Sequence, residues 1–249
     1  MCFALLGVEA AMDVIPAIDL IGGKCVRLVQ GEYHRQITYE DDPIKQAGVF
    51  RDAGAQWLHI VDLDGARMGR SVNFEVIKAI TSHYDMNVEV GGGIRDEAAI
   101  RRMLDAGVKR VIIGTSAVSN FAWFAKMAQT YPGKLAFGLD ARGSKVAVAG
   151  WTQETPQQLW DFAAQASKLP LSAIIYTDIT KDGMMAGPNF DRTKALADAV
   201  SLPVIAAGGV TRVEDVVRLR ELGAAGAIVG RALYEGTIDL RAAIRAGQG

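Results

Sequence analysis

Gly91-Gly92-Gly93-Ile94-Arg95, followed by Asp105-Ala106-Gly107 and then Val111-Ile112-Ile113-Gly114, returns later in the chain as Gly208-Gly209-Val210, Glu221-Leu222-Gly223 and Ala227-Ile228-Val229-Gly230. Gly92 and Gly208, Gly107 and Gly223, and Gly114 and Gly230 each lie 116 residues apart, so the match keeps its register over a whole segment. Residues 57–62 align with 173–178 at the same offset, and Ile18-Asp19 aligns with Leu139-Asp140 at a slightly larger one. A single coincident Gly-Gly pair is commonplace in turns. Ordered agreement of four strand ends is not.

Outward from these stretches, short apolar runs alternate with longer segments of helical period, the pattern of parallel strands joined by crossover helices. Strands are expected at 14–19, 57–62, 87–90, 110–113, 134–140, 173–178, 203–206 and 226–229. Helices follow caps such as Asp96 and stop at glycines such as Gly54, Gly107 and Gly223. Eight such units in two matched sets of four predict an α/β fold, a (β/α)8 TIM barrel built from two homologous half-barrels at about 13–133 and 134–249. An open doubly wound sheet also supplies βα units but gives no reason for two matched sets of four. Residues 1–12 form a short N-terminal extension, either a disordered segment or a start-site artefact with Met12 as the true start.

A length of 249 residues suits one barrel domain, and half of them are hydrophobic, enough for one large core. The net charge of −1 leaves no broad positive field, so neither nucleic acid nor an anionic membrane is an expected partner. Any anion must be bound locally. Cys2 and Cys25 have no metal-ligand spacing, and Cys25 sits in an apolar alternation that suits a buried, reduced thiol. No apolar run approaches a membrane span, and the opening residues lack the basic start of a secretory signal. The expectation is a cytoplasmic monomer acting on a small molecule.

In such a barrel the site gathers at the C-terminal strand ends. Asp19 ends the first strand and Asp140 the fifth, which places them on opposite sides of the mouth, where one carboxyl can donate a proton and the other accept one. Either alone serves equally well as the cap of a turn. Gly93 and Gly114-Thr115 in one half, and Gly209 and Gly230-Arg231 in the other, offer bare N–H groups suited to two phosphates, hence a bisphosphate spanning the mouth. No P-loop or dinucleotide fingerprint is present. Arg95, Thr177 and Asp182 lie near these ends, while Asp62 and Asp178 occupy equivalent positions that favour holding loops. His59 fits a hydrogen-bonded inner residue as well as a substrate contact. Trp151, in the long loop after the fifth strand, either covers apolar surface or stacks on a planar ligand. No His or Cys cluster points to a metal, and no Ser-His pairing to acyl transfer.

Ile15-Pro16-Ala17-Ile18-Asp19-Leu20, Gly23-Lys24-Cys25-Val26-Arg27-Leu28, Gly91-Gly92-Gly93-Ile94-Arg95, Gly138-Leu139-Asp140 and Thr177-Asp178-Ile179-Thr180-Lys181-Asp182-Gly183 closely resemble the histidine-biosynthesis isomerases of phosphoribosylformimino aminoimidazole carboxamide ribotide (ProFAR). The resemblance covers Asp13 to about Ala243. It implies an Amadori rearrangement of an aminoaldose to an aminoketose without cofactor or metal, with Asp19 as base, Asp140 as acid, and Thr177 and Asp182 linked to the site. It also implies phosphates resting on Gly93, Gly114 and Thr115 and on Gly209, Gly230 and Arg231, and Trp151 folding over the substrate. Met184-Met185 stands where family members often carry Thr, so contacts of the sixth loop are open. Three alternatives stay beside it: a bifunctional isomerase that also takes phosphoribosyl anthranilate, the sister cyclase of the same pathway, and a non-catalytic sugar-phosphate-binding barrel. Residues 16–20 and 26–28 favour the isomerase over the cyclase, and the paired aspartates weigh against simple binding.

Overall fold

The computed structural model describes residues 11–29 and 32–249. Cys2 and nearly all of the expected N-terminal extension lie outside these residues. Eight parallel strands form one closed sheet: β1 (Asp13–Ile21), β2 (Trp57–Asp62), β3 (Asn87–Gly91), β4 (Arg110–Ile113), β5 (Leu135–Arg142), β6 (Ala173–Asp178), β7 (Val204–Ala207) and β8 (Gly226–Val229). Each pairs with the next in chain order, and β8 pairs back onto β1. With helices packed around the outside, this is a TIM barrel.

Alternation along each strand serves two cores. Ile15 and Ala17 of β1, Ile112 of β4, Ala136 of β5, Ala173 and Ile175 of β6, Ile205 of β7 and Ile228 of β8 fill the barrel interior. Their neighbours, such as Ile18, Leu20, Leu58, Ile60, Phe137 and Leu139, point outward onto Ile77, Ile80, Ile100, Met103 and Phe124 of the helices. Each such fully buried aliphatic or aromatic side chain contributes roughly 1.5–3 kcal/mol. The same alternation sets the site, because Asp19 continues the inward column of Ile15 and Ala17, and Asp140 continues that of Ala136 and Gly138.

Local signals act as expected. The Asp42 carboxylate caps the helix Pro43–Asp52 by accepting from the Ile44 and Lys45 amides, at 3.0 and 3.1 Å. Asp96 caps Glu97–Asp105 through the Ala99 amide at 2.8 Å. Gly54, Gly107 and Gly223 end helices in the left-handed region, at φ of 100°, 92° and 84°. Buried Cys25 is free, and burial pushes its thiol up to about 12. No helix among the described residues is long and apolar enough to cross a membrane.

The structure departs from expectation after the first and fifth strands. Lys24–Val29 and Glu32–Glu40 form an antiparallel hairpin laid against the end of β1, and Lys145–Val148 and Gln153–Gln158 form another against β5. The expected long loop after the fifth strand is therefore a hairpin. β1 and β5 run past the barrel rim to Ile21 and Arg142 because these hairpins supply backbone partners there, Leu20 pairing Cys25 and Ala141 pairing Val146.

Candidate active site

All thirteen site residues expected from sequence line one cavity of about 290 Å³ at the C-terminal end of the barrel: Asp19, His59, Gly93, Arg95, Gly114, Thr115, Asp140, Trp151, Thr177, Asp182, Gly209, Gly230 and Arg231. Asp62 and Asp178 stay out of it. The buried Asp62 carboxylate accepts from the amides of Gly65, Val72 and Asn73, the Ser71 hydroxyl and the Asn73 side-chain amide, and so shapes the loop after β2. Asp178 does the same after β6 through Thr180 and Asn189.

The two cavity aspartates have different neighbours. Arg27, from the first hairpin, reaches back over the mouth and places one guanidinium nitrogen 3.9 Å from Asp19 and another 2.6 Å from Asp182. Across the cavity, the Trp151 indole N–H donates to Asp140 at 2.7 Å, and Thr177, its register partner on β6, stands beside the same carboxyl. Among the described residues no ion pair joins Asp140 to a Lys or Arg. Arg27 was not singled out from sequence, although an arginine inside the apolar alternation Cys25-Val26-Arg27-Leu28 is the signal that marks it. Trp151 also holds the carboxyl by its polar edge, a contact outside the roles expected from sequence. Its backbone, at φ 69°, and that of Ala149, at φ 54°, lie in the left-handed region that L side chains rarely occupy. Strained backbone of this kind clusters at functional sites, and here it lies at the cavity rim.

The glycine-rich ends are close-packed as well as open to the cavity. A Cβ on Gly92 would run into the backbone of Asp62, and one on Gly93 would stand 2.6 Å from the Gly65 carbonyl oxygen. On the opposite side, Cβ atoms on Gly208 and Gly209 would stand 3.0 Å from the Asp178 carbonyl and 2.6 Å from that of Gly187. Gly114 and Gly230 have nearly the same backbone, φ −103° and ψ −94° against φ −107° and ψ −100°. The side chains beside them are partly engaged: Thr115 Oγ1 accepts from the Ala149 amide at 3.0 Å, while Arg231 donates to Glu235 and to the Gly183 carbonyl, both at 2.6 Å. Thr115 thus ties down the second hairpin, and Arg231 the sixth loop.

Burial raises the Asp19 carboxyl above its ordinary value, opposed by Arg27 and reinforced by Asp182. Burial raises Asp140 too, opposed by the Trp151 and Thr177 hydrogen bonds. A carboxyl whose folded pKa lies above its ordinary value near 3.8 binds its proton more tightly in the folded chain than in the unfolded one. Stability from these groups is therefore full below that value and falls as pH rises through the raised folded pKa values. Asp140→Asn, which cannot ionise and still offers the indole an oxygen, is expected to raise Tm at neutral pH, with the gain closing toward pH of about 4. Thermal melts of the two proteins across that range check this, and a variant that melts lower at neutral pH would contradict it.

The family model described as "Histidine biosynthesis protein" matches residues 13–239, which span the whole barrel sheet and every residue of the cavity. The chain belongs to the histidine biosynthesis protein family. Its relatives in that family match along nearly their full length. A protein of Paracoccus denitrificans is 51% identical over 236 residues, 94% of this chain and 99% of the relative. One of Ruminiclostridium cellulolyticum is 46% identical over 235 residues, 94% of this chain and 100% of the relative. One of a Picosynechococcus is 46% identical over 238 residues, 94% and 93% of the two chains. All three are named 1-(5-phosphoribosyl)-5-((5-phosphoribosylamino)methylideneamino) imidazole-4-carboxamide isomerase.

Proposed function

We propose that this member of the histidine biosynthesis family is the ProFAR isomerase, catalysing the Amadori rearrangement of ProFAR to its phosphoribulosyl isomer by acid and base catalysis. The observation that carries the site assignment is the pair of carboxylates at the ends of β1 and β5, lining one cavity with unlike neighbours. Asp140, with no guanidinium paired to it, is suited to hold a proton and give it to the ribose ring oxygen as the bond from C1 to that oxygen breaks. The substrate nitrogen then forms the C=N bond of a Schiff base. Asp19, with Arg27 favouring its ionised form, is suited to remove the proton from C2. The resulting enaminol becomes the ketone as C1 takes up a proton and the C2 hydroxyl releases one; Asp19 gives up the proton it took and Asp140 regains the one it gave, which completes the aminoketose and resets the site. Asp182 holds Arg27, and Thr177 stands beside Asp140 and favours its ionised form.

The two ends of the substrate carry phosphates, and the cavity has a Gly-rich rim on each side. One phosphate is assigned to Gly93, Gly114 and Thr115, and the other to Gly209, Gly230 and Arg231, with Arg95 beside the first. The close packing of Gly92 and Gly208 onto neighbouring loops supports this arrangement, because it holds the rim backbone in place before substrate arrives.

Turnover of purified protein with ProFAR, and separately with phosphoribosyl anthranilate, tests the proposal. Conversion of ProFAR is the expected result, and no conversion would defeat it; conversion of both would make the enzyme bifunctional. Trp151→Phe keeps the ring but deletes the indole N–H. Asp140 becomes a carboxylate as it gives up its proton, and a hydrogen bond to a charged group is worth about 1.5–3 kcal/mol, so turnover is expected to fall roughly 10-fold to 100-fold. Steady-state kinetics of that variant provide the check.

A further inference from the structure

Below the aspartates the barrel interior contains a chain of polar groups that the proposed mechanism leaves unused. His59, Glu89 and Arg110 are register partners on β2, β3 and β4, and His59 is level with Ala17, one inward step below Asp19. The Glu89 side chain is fully buried, with His59 Nδ1 2.7 Å from one oxygen and Arg110 Nη1 2.7 Å from the other. Arg110 is stacked 4.2 Å from the centre of the Trp57 ring, and its Nε is buried without a hydrogen-bond partner. The fold does not require this arrangement. The positions 116 residues further on are Ala173, Ile175, Ile205 and Gly226, all apolar, and the sheet closes there equally well. A buried ion pair at best breaks even against apolar packing, so its presence on one side of the interior points to use.

We infer that Glu89 and Arg110 are positioning residues for His59, holding its ring as the Nδ1–H tautomer so that the Nε2 lone pair faces a ribose hydroxyl of the substrate from the cavity floor. A guanidinium only donates hydrogen bonds, so Arg110 occupies one Glu89 oxygen and leaves the other as an acceptor. The ring nitrogen facing that acceptor carries hydrogen. His59 lines the cavity and is partly exposed there, so the nitrogen turned away from Glu89 is the one a ligand meets. The inference rests on the isomerase proposal for the hydroxyl, since the ribose to be opened lies over this floor. It does not rest on it for the state of the ring.

Glu89→Gln is the discriminating change, because it conserves shape while reversing polarity. Arg110 still demands an oxygen, so the glutamine must turn its amide NH2 toward His59, which forces Nδ1 to accept and moves the ring hydrogen to Nε2. The chain has three histidines, and 15N spectra of ring-labelled protein at mildly alkaline pH assign His59 by its loss in His59→Gln. The expected results are hydrogen on Nδ1 in the wild type and on Nε2 in Glu89→Gln. Turnover of ProFAR should fall about 10-fold to 100-fold, mostly in kcat rather than KM. A wild-type ring with hydrogen on Nε2 would overturn the inference by itself, even if the variant failed to fold. So would a variant with a switched ring and wild-type turnover, or one with an unswitched ring and lost turnover. Wild-type protein inert toward ProFAR would defeat the isomerase proposal and the hydroxyl contact with it, while the spectrum would still decide the tautomer.

Discussion

Asp19→Asn lowers turnover of ProFAR by roughly 10²–10⁴-fold, the usual worth of a positioned general base, and leaves substrate binding largely intact. The asparagine fills the same volume in the inward column of β1, and its amide oxygen can still face Arg27, so neither the barrel nor the hairpin that carries Arg27 loses its packing. What disappears is the group that accepts the C2 proton. The loss should therefore fall on kcat, with KM and calorimetric binding of substrate little changed. Because Asp140 acts in the ring-opening step of the same reaction, Asp19→Asn combined with Asp140→Asn should cost much less than the product of the two single losses. Steady-state rates of the three variants decide it, and near wild-type turnover in Asp19→Asn would remove this residue from the mechanism.

Gly92→Ala is expected to destabilise the fold by about 3–5 kcal/mol, at the upper end for single substitutions. Two causes act together. The backbone at Gly92 has φ of 103°, which a side chain makes costly, and the added Cβ runs into the backbone of Asp62. Asp62 cannot give way, because its carboxylate is held by three backbone amides and two side chains of the following loop. For a chain of this size a loss of that order lowers Tm by roughly 6–20 °C. Urea denaturation of wild type and variant measures it. A midpoint within error of the wild type would show that the rim relaxes freely, and the preformed phosphate seat would fall with it. Alanine at Gly133, where a Cβ meets nothing within 4 Å, is the control, since only its φ of 70° opposes the change.

Most of the site was legible because it lies on strands. A period of two fixes which residues face inward once a strand is placed, so Asp19, Asp140 and Thr177 follow from their neighbours in sequence. The glycine ends were legible because a repeat separates shared function from chance. The hydrogen bond from Trp151 to Asp140 was not legible, since a left-handed backbone at a non-glycine residue leaves no local signature. The two hairpins were hidden for a similar reason. Lys145–Val148 and Gln153–Gln158 are short and mixed in polarity, and they hold as strands because the first pairs with β5 and the second with the first.

By itself the sequence determined the barrel, the order of its strands and thirteen of the residues at its mouth, because periodicity, caps and glycine turns act over a few residues and repeat along the chain. Only the tertiary structure decided which of those residues touch. Arg27 meets Asp182 across 155 positions of sequence, and His59, Glu89 and Arg110 meet because β2, β3 and β4 are in register. These contacts depend on closure of the sheet and on where two hairpins fold back over it. The physical difference between the two carboxylates, a guanidinium beside one and an indole N–H on the other, comes from where the hairpin after each strand folds back over the mouth.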